Sequence, residues 1–216
     1  MKKSLTILLI LLLSIPFCLY VNAEGAKEFT SGDYRCVLNG DGTVTITQYR
    51  EMYTDIIIGS EYELVDLVIP SELEGKRVTG IGDYAFQGCV SIRSVTVPDS
   101  VTDIGDGTFA ECLGLFSVTI PDSVTGIGEG AFYYCTQLQS VVLPESVTRL
   151  GDGAFNECAC LTAVNIPKGV TVIGDGMFEG CTGLISITIP DGVTRIGSAA
   201  FASCTGLTSV DRKSVV

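Results

Sequence analysis

Histidine and tryptophan are absent from the 216 residues, and basic side chains are scarce, with 13 Lys and Arg against 25 Asp and Glu. Without histidine there is no Ser-His-Asp or Cys-His catalytic pair, no imidazole-ligated zinc and no imidazole pH switch. A formal net charge of −12 opposes nucleic acid, whose phosphates are held by Lys and Arg that displace counterions. The sequence contains no G-x-x-x-x-G-K-S/T phosphate loop, dinucleotide fingerprint, heptad run or basic patch, so no cofactor and no nucleic-acid partner are expected. What is present is apolar: 46% hydrophobic residues, too many for a disordered chain, in a length that allows one or two domains.

Part of that apolar content lies at the start. Lys2 and Lys3 precede a run from Leu5 to Val21 that is broken by Thr6, Ser14 and Pro16, and Val21-Asn22-Ala23 puts small residues where a signal peptidase reads. Residues 1–23 are expected to be a secretory signal cut after Ala23. The alternative is an uncleaved anchor, the single route to a membrane, because the run approaches the roughly 17 residues of a spanning helix. Pro16 and the cleavage site weigh against it, and Pro16 and Phe17 likewise weigh against lipid attachment at Cys18. Cleavage removes two lysines and no acids, leaving 11 basic and 25 acidic residues and a net charge of −14.

The remainder is periodic. Ile81, Ile104, Ile127, Leu150, Ile173 and Ile196 recur every 23 residues. Phe86, Phe109, Phe132, Phe155, Phe178 and Phe201 keep the same step, as do the cysteines from Cys89 through Cys112, Cys135, Cys158 and Cys181 to Cys204. A third column runs Ile92, Leu115, Leu138, Leu161, Leu184, Leu207, and a fourth Pro98, Pro121, Pro144, Pro167, Pro190. So many columns in phase define a solenoid whose coils bury a shared core, and 23 lies within the 20 to 29 residues of a leucine-rich coil.

Within one coil, Leu115, Val118 and Ile120 follow L-x-x-L-x-L spacing and predict a short parallel strand that Pro121 ends, since proline has no N–H for a ladder. Val124-Thr-Gly-Ile127 predicts a second extended stretch. Phe132 and Cys135, three apart, predict a single helical turn that points both inward. The pattern L-x-S-V-x-I-P-D-S-V-T-x-I-G-x-G-A-F-x-x-C, read from Leu115 to Cys135, resembles the BspA-like, or treponemal-type, leucine-rich repeats over about residues 64 to 210. The resemblance implies an α/β leucine-rich repeat solenoid, and a surface protein of a kind linked to adhesion to host matrix proteins and to other cells.

The ends depart from the period. Pro70 to Pro98 spans 28 residues instead of 23, and the five extra residues at Glu74–Val78 are expected to form a loop. Tyr34–Leu38 and Thr43–Tyr49 flank Asn39-Gly-Asp-Gly42 and predict a β-hairpin. It would lie in an N-terminal β-rich cap over residues 24–63, before a solenoid of half a repeat and six coils over 64–216. Leu207 to Val216 starts a strand without the Pro or a polar capping coil, which leaves three readings: a fragment of a longer protein, a partner on the free edge, or Arg212 and Lys213 as gatekeepers.

Three residue sets carry candidate chemistry. Eight cysteines follow the signal, and six stand in one column, an arrangement expected of buried free thiols because parallel side chains in register are badly turned for a disulfide. Cys160, on a turn, makes a C-x-C with Cys158 that has no second pair or histidine to complete a metal site. Two acidic columns run along the coils: Asp83, Asp106, Glu129, Asp152, Asp175, and Asp99, Asp122, Glu145, Asp191 with Lys168 interrupting. Bound Ca²⁺ would relieve their repulsion, but one carboxylate per coil rarely encloses an ion and Asp-Gly pairs form turns without one, so no metal is assigned.

The third set breaks the repeat at exposed positions. Strand position two reads Arg93, Phe116, Gln139, Thr162, Ile185; position five reads Thr96, Thr119, Val142, Asn165, Thr188; Tyr133 and Tyr134 stand on the helical turn. Exposed aromatic and apolar residues that deviate from a polar consensus anchor partners, although drift without function gives the same pattern. The function expected is a secreted or cell-surface module that binds an extracellular protein or glycan without catalysis. The alternative is a passive spacer or a truncated piece of a larger surface protein.

Overall fold

The computed structural model describes residues 20–21, 27–49 and 64–212. Most of the proposed signal, residues 24–26 and 50–63 of the proposed cap, and Lys213 lie outside them. Strands β1 (Tyr20–Val21), β2 (Lys27–Ser31), β3 (Tyr34–Leu38) and β4 (Val44–Tyr49) pair antiparallel in chain order. After them each coil contributes a strand to two rows. The first row holds β7 (Lys76–Ile81), β9 (Asp103–Ile104), β11 (Gly126–Ile127), β13 (Arg149–Leu150), β15 (Val172–Ile173) and β17 (Arg195–Ile196). The second holds β5 (Val65–Val68), β8 (Ile92–Thr96), β10 (Ser117–Thr119), β12 (Ser140–Val141), β14 (Ala163–Val164), β16 (Ser186–Ile189) and β18 (Ser209–Arg212). Pairing within both rows is parallel and in register at the repeat step, as in Ile104 with Ile127 and Val95 with Val118.

The antiparallel strands join the first row directly. Strand β4 pairs parallel with β7, Val44 opposite Val78 and Ile46 opposite Ile81. The Tyr49 ring takes the first place in the phenylalanine column, 5.2 Å from Phe86. Successive rings of that column then stack at 5.2 to 5.7 Å through Phe201, the offset spacing aromatic pairs prefer. One coil buries Leu115, Val118, Ile120, Val124, Ile127, Ala131, Phe132 and Cys135.

Two expectations are corrected. No helical turn forms at the phenylalanine: the stretch is a series of tight turns. Gly107 and Glu111 adopt φ of 55° and 60°, Gly130 and Tyr134 φ of 55° and 58°, and left-handed residues on both sides of the phenylalanine stop a right-handed helix. The N–H groups of Gly107, Phe109 and Glu111 leave the coil for the carbonyls of Glu129, Ala131 and Tyr133 in the next, while Ala110 and Cys112 close i+3 turns. Repetition made this possible, because an identical neighbour offers carbonyls where a lone segment would need a helix to satisfy its own donors.

The five extra residues at Glu74–Val78 are not an irregular loop either. Strand β6 (Glu72–Leu73) pairs antiparallel with the start of β7 around Glu74 and Gly75. Both turn residues have positive φ, 51° and 67°, the two-residue turn that matches strand twist.

Candidate ligand-binding surface

Strand β8 alternates buried and exposed side chains, and β10 copies it: Leu115, Val118 and Ile120 face the core while Phe116 and Thr119 face solvent. Position two is stitched into a line, with N–H groups of Phe116, Gln139 and Thr162 donating to the carbonyls of Arg93, Phe116 and Gln139 at 2.7 to 3.1 Å. Position five runs beside it, Thr96 in register with Thr119. Arg93, Thr96, Phe116, Thr119, Gln139, Val142, Asn165, Ile185 and Thr188 therefore share one exposed face, where Val142 is 74% and Ile185 57% exposed. Tyr133 and Tyr134, rings 5.9 Å apart, belong instead to the tight-turn side of the coils, so the eleven candidate residues do not form one site.

Two members of that face are already engaged. Arg93 forks onto Asp66 of β5, Nε to Oδ1 at 3.0 Å with a second contact from Nη2, and the Ser94 hydroxyl adds a donor at 2.6 Å. These donors, the guanidinium first, hold the Asp66 carboxyl down at about 2. The Asn165 carboxamide reaches back to the coil before it. Its Oδ1 accepts the Leu143 N–H at 2.8 Å and its Nδ2 donates to the Leu143 carbonyl at 2.7 Å. In the first coils the matching donor, Val97 N–H, uses the backbone carbonyl of Thr119, so Asn165 supplies with its side chain what a threonine supplies with its main chain.

The cysteines and acids prove to be coil-to-coil connectors. All eight described cysteines are free thiols. The S–H of Cys112 donates to the Phe86 carbonyl at 3.1 Å, and Cys135, Cys158, Cys181 and Cys204 repeat the bond onto Phe109, Phe132, Phe155 and Phe178. Burial pushes the Cys36 and Cys181 thiols up to about 12 and those of Cys112, Cys135 and Cys158 well above the ordinary range, which removes the thiolate a nucleophile needs. Cys160 is half-buried and its N–H donates to the Thr136 carbonyl. Asp83, Asp106, Asp152 and Asp175 each accept the backbone N–H of the residue 23 further on, at 2.7 to 2.9 Å. Among the described residues no three His, Cys, Asp or Glu side chains gather as metal ligands.

Two depressions interrupt the exposed face. One, of about 490 Å³, includes Val142, Asn165 and Thr188 with Glu145 and Lys168. The larger, about 970 Å³, lies between the β6–β7 hairpin and Thr96–Ser100, and its Arg77, Asp99, Ser100 and Glu72 were not among the sequence candidates. The signal that marks it in the sequence is the 28-residue step between Pro70 and Pro98, an insertion that pushes two neighbouring coils apart.

A parallel β-solenoid of 23-residue coils, with ladders of phenylalanine, cysteine and aspartate and no catalytic constellation among the described residues, defines a leucine-rich repeat protein. Residues 79–208 match six copies of the BspA type leucine rich repeat region, and the chain belongs to that family. No curated protein matches it. Among solved structures it is similar to the leucine-rich repeat protein of T. pallidum, at 29% identity and TM-score 0.61 over 82% of this chain and 88% of that one. A Bacteroides ovatus leucine-rich repeat protein matches at 28% identity and TM-score 0.58 over 85% of this chain, which spans about half (52%) of that protein. The pneumococcal vaccine antigen PcpA shares the fold at 18% identity and TM-score 0.56, with 81% of this chain and 47% of that one covered.

Proposed function

We propose that this chain is a secreted or surface-displayed binding module that holds an extracellular protein on the exposed face of its second strand row, without catalysis. The observation that carries the reading is the alignment of Phe116, Val142 and Ile185, 46 to 74% exposed, on a rigid sheet among small polar neighbours. Apolar anchors within a polar surround are what protein interfaces use, and a flat parallel sheet offers them at fixed spacing. A glycan is a weaker fit to this face, whose sole aromatic is Phe116. Residues 1–23 act as the secretory signal; cleavage after Ala23 removes β1 and leaves the pairing of β2, β3 and β4 intact. No helix among the described residues is long and apolar enough to cross a membrane. Display on the surface of a cell also suits the bacterial family.

Arrays of purified extracellular-matrix proteins and glycans test the reading. A matrix protein is expected to bind, and the double variant Phe116→Ser, Ile185→Ser is expected to bind about 10-fold or more weaker at unchanged melting temperature. A folded sample that binds no protein on the array, or a double variant that binds as well as the native chain, rejects it.

A further inference from the structure

We propose that the groove beside the β6–β7 hairpin is a separate site that takes one neutral sugar residue. The first observation is a hydroxyl with nothing to bond. Ser123 and Ser146 donate to the carbonyls of Val101 and Val124, each 22 residues earlier, at 2.6 and 2.7 Å. Ser100 holds the same place in the preceding coil, is 8% exposed, and among the described residues is the one buried polar side chain without a hydrogen-bond partner. The matching carbonyl belongs to Val78, which the inserted hairpin carries, its own N–H paired to Ser71. The Ser100 hydroxyl lines the groove instead.

The other lining groups narrow the occupant. Arg77 is exposed and has no hydrogen bond or ion pair, although Glu72 and Asp99 line the same groove, also without partners. A phosphate or sulfate would meet those two carboxylates, and a polyamine would meet the guanidinium. A purely aliphatic ligand would leave Ser100 and Arg77 unpaired. A sugar residue satisfies all of them at once. Its hydroxyls donate to Glu72 and Asp99, its oxygens accept from Arg77, and either role serves Ser100, while its C–H face lies on the Pro70 and Pro98 wall. The volume, about 970 Å³, is at the upper end of small-molecule sites and leaves room for the rest of a glycan chain. The site does not depend on the protein-binding reading of the sheet face.

Saturation-transfer NMR and calorimetry on the full chain test it, with methyl α-mannoside, methyl β-galactoside and N-acetylglucosamine at millimolar concentration as probes and inorganic phosphate and spermidine as charged controls. At least one glycoside is expected to bind, and Ser100→Ala and Arg77→Gln are each expected to weaken it about 10-fold. Ser100→Ala is expected to keep or raise the melting temperature, because it deletes an unpaired buried hydroxyl, so its loss of binding is not loss of fold. The variant Phe116→Ser, Ile185→Ser is expected to bind the glycoside unchanged, which separates this site from the sheet face. The proposal fails if no glycoside binds the folded protein, if both groove variants bind normally, or if phosphate or spermidine binds more tightly than every glycoside.

Discussion

Asp106 and Glu129 occupy the same place in consecutive coils and do different work. Asp106 Oδ1 accepts the N–H of Glu129 at 2.7 Å, whereas Glu129, one methylene longer, does not take the N–H of Asp152. The carboxylate column is therefore a chain of backbone acceptors with one link missing. Glu129→Asp is expected to close it and to stabilise the fold by about 0.5 kcal/mol, the low end for a hydrogen bond because the site is exposed, as read by urea denaturation. The acidic column itself was legible in the sequence. Its purpose was not, because the acceptor's partner lies 23 residues away and becomes a neighbour only when the coils stack. The cysteine column repeats the lesson: its burial followed from its phase with the phenylalanines, but the carbonyls that its thiols bond belong to the previous coil.

At the scale of elements, β5 and β8 are tied by Asp66 and Arg93 on their solvent side. A carboxyl held at about 2 when folded and near 3.9 when unfolded contributes stability above pH of about 4, and that contribution is lost as pH falls from about 4 to about 2. Asp66→Asn is expected to melt below the native chain at neutral pH, and the two melting curves are expected to converge at about pH 2, which calorimetry across that range checks. The strand that holds Arg93 was readable from alternation; its acidic partner was not, since Asp66 belongs to a coil displaced by the five-residue insertion. The helical turn was misread for a related reason. Spacing of three places Phe132 and Cys135 on one side of a helix or of a tight turn alike, and the N–H groups committed to the next coil decide between them.

For the whole molecule, stability is shared along the stack of rings. Phe132 is fully buried between Phe109 and Phe155, while Phe201 has a ring neighbour on one side and is half-buried among the described residues. Phe132→Ala is expected to cost about 3–5 kcal/mol and Phe201→Ala clearly less, and chemical denaturation of the two variants checks the order. A solenoid in which each coil touches only its neighbours makes that cost depend on position along the row. The period, the core columns, the two extended stretches per coil and the family resemblance were all determined by the sequence, because each is set by which residues repeat every 23 positions. Only the tertiary structure decided which exposed residues share a face, that Tyr133 and Tyr134 stand apart from the other nine, that Asn165 is spent on a neighbouring backbone, and that Ser100 is left without a partner. These outcomes depend on contacts between coils. A repeat pattern states what each coil has in common with the next, whereas such contacts depend on where consecutive coils differ.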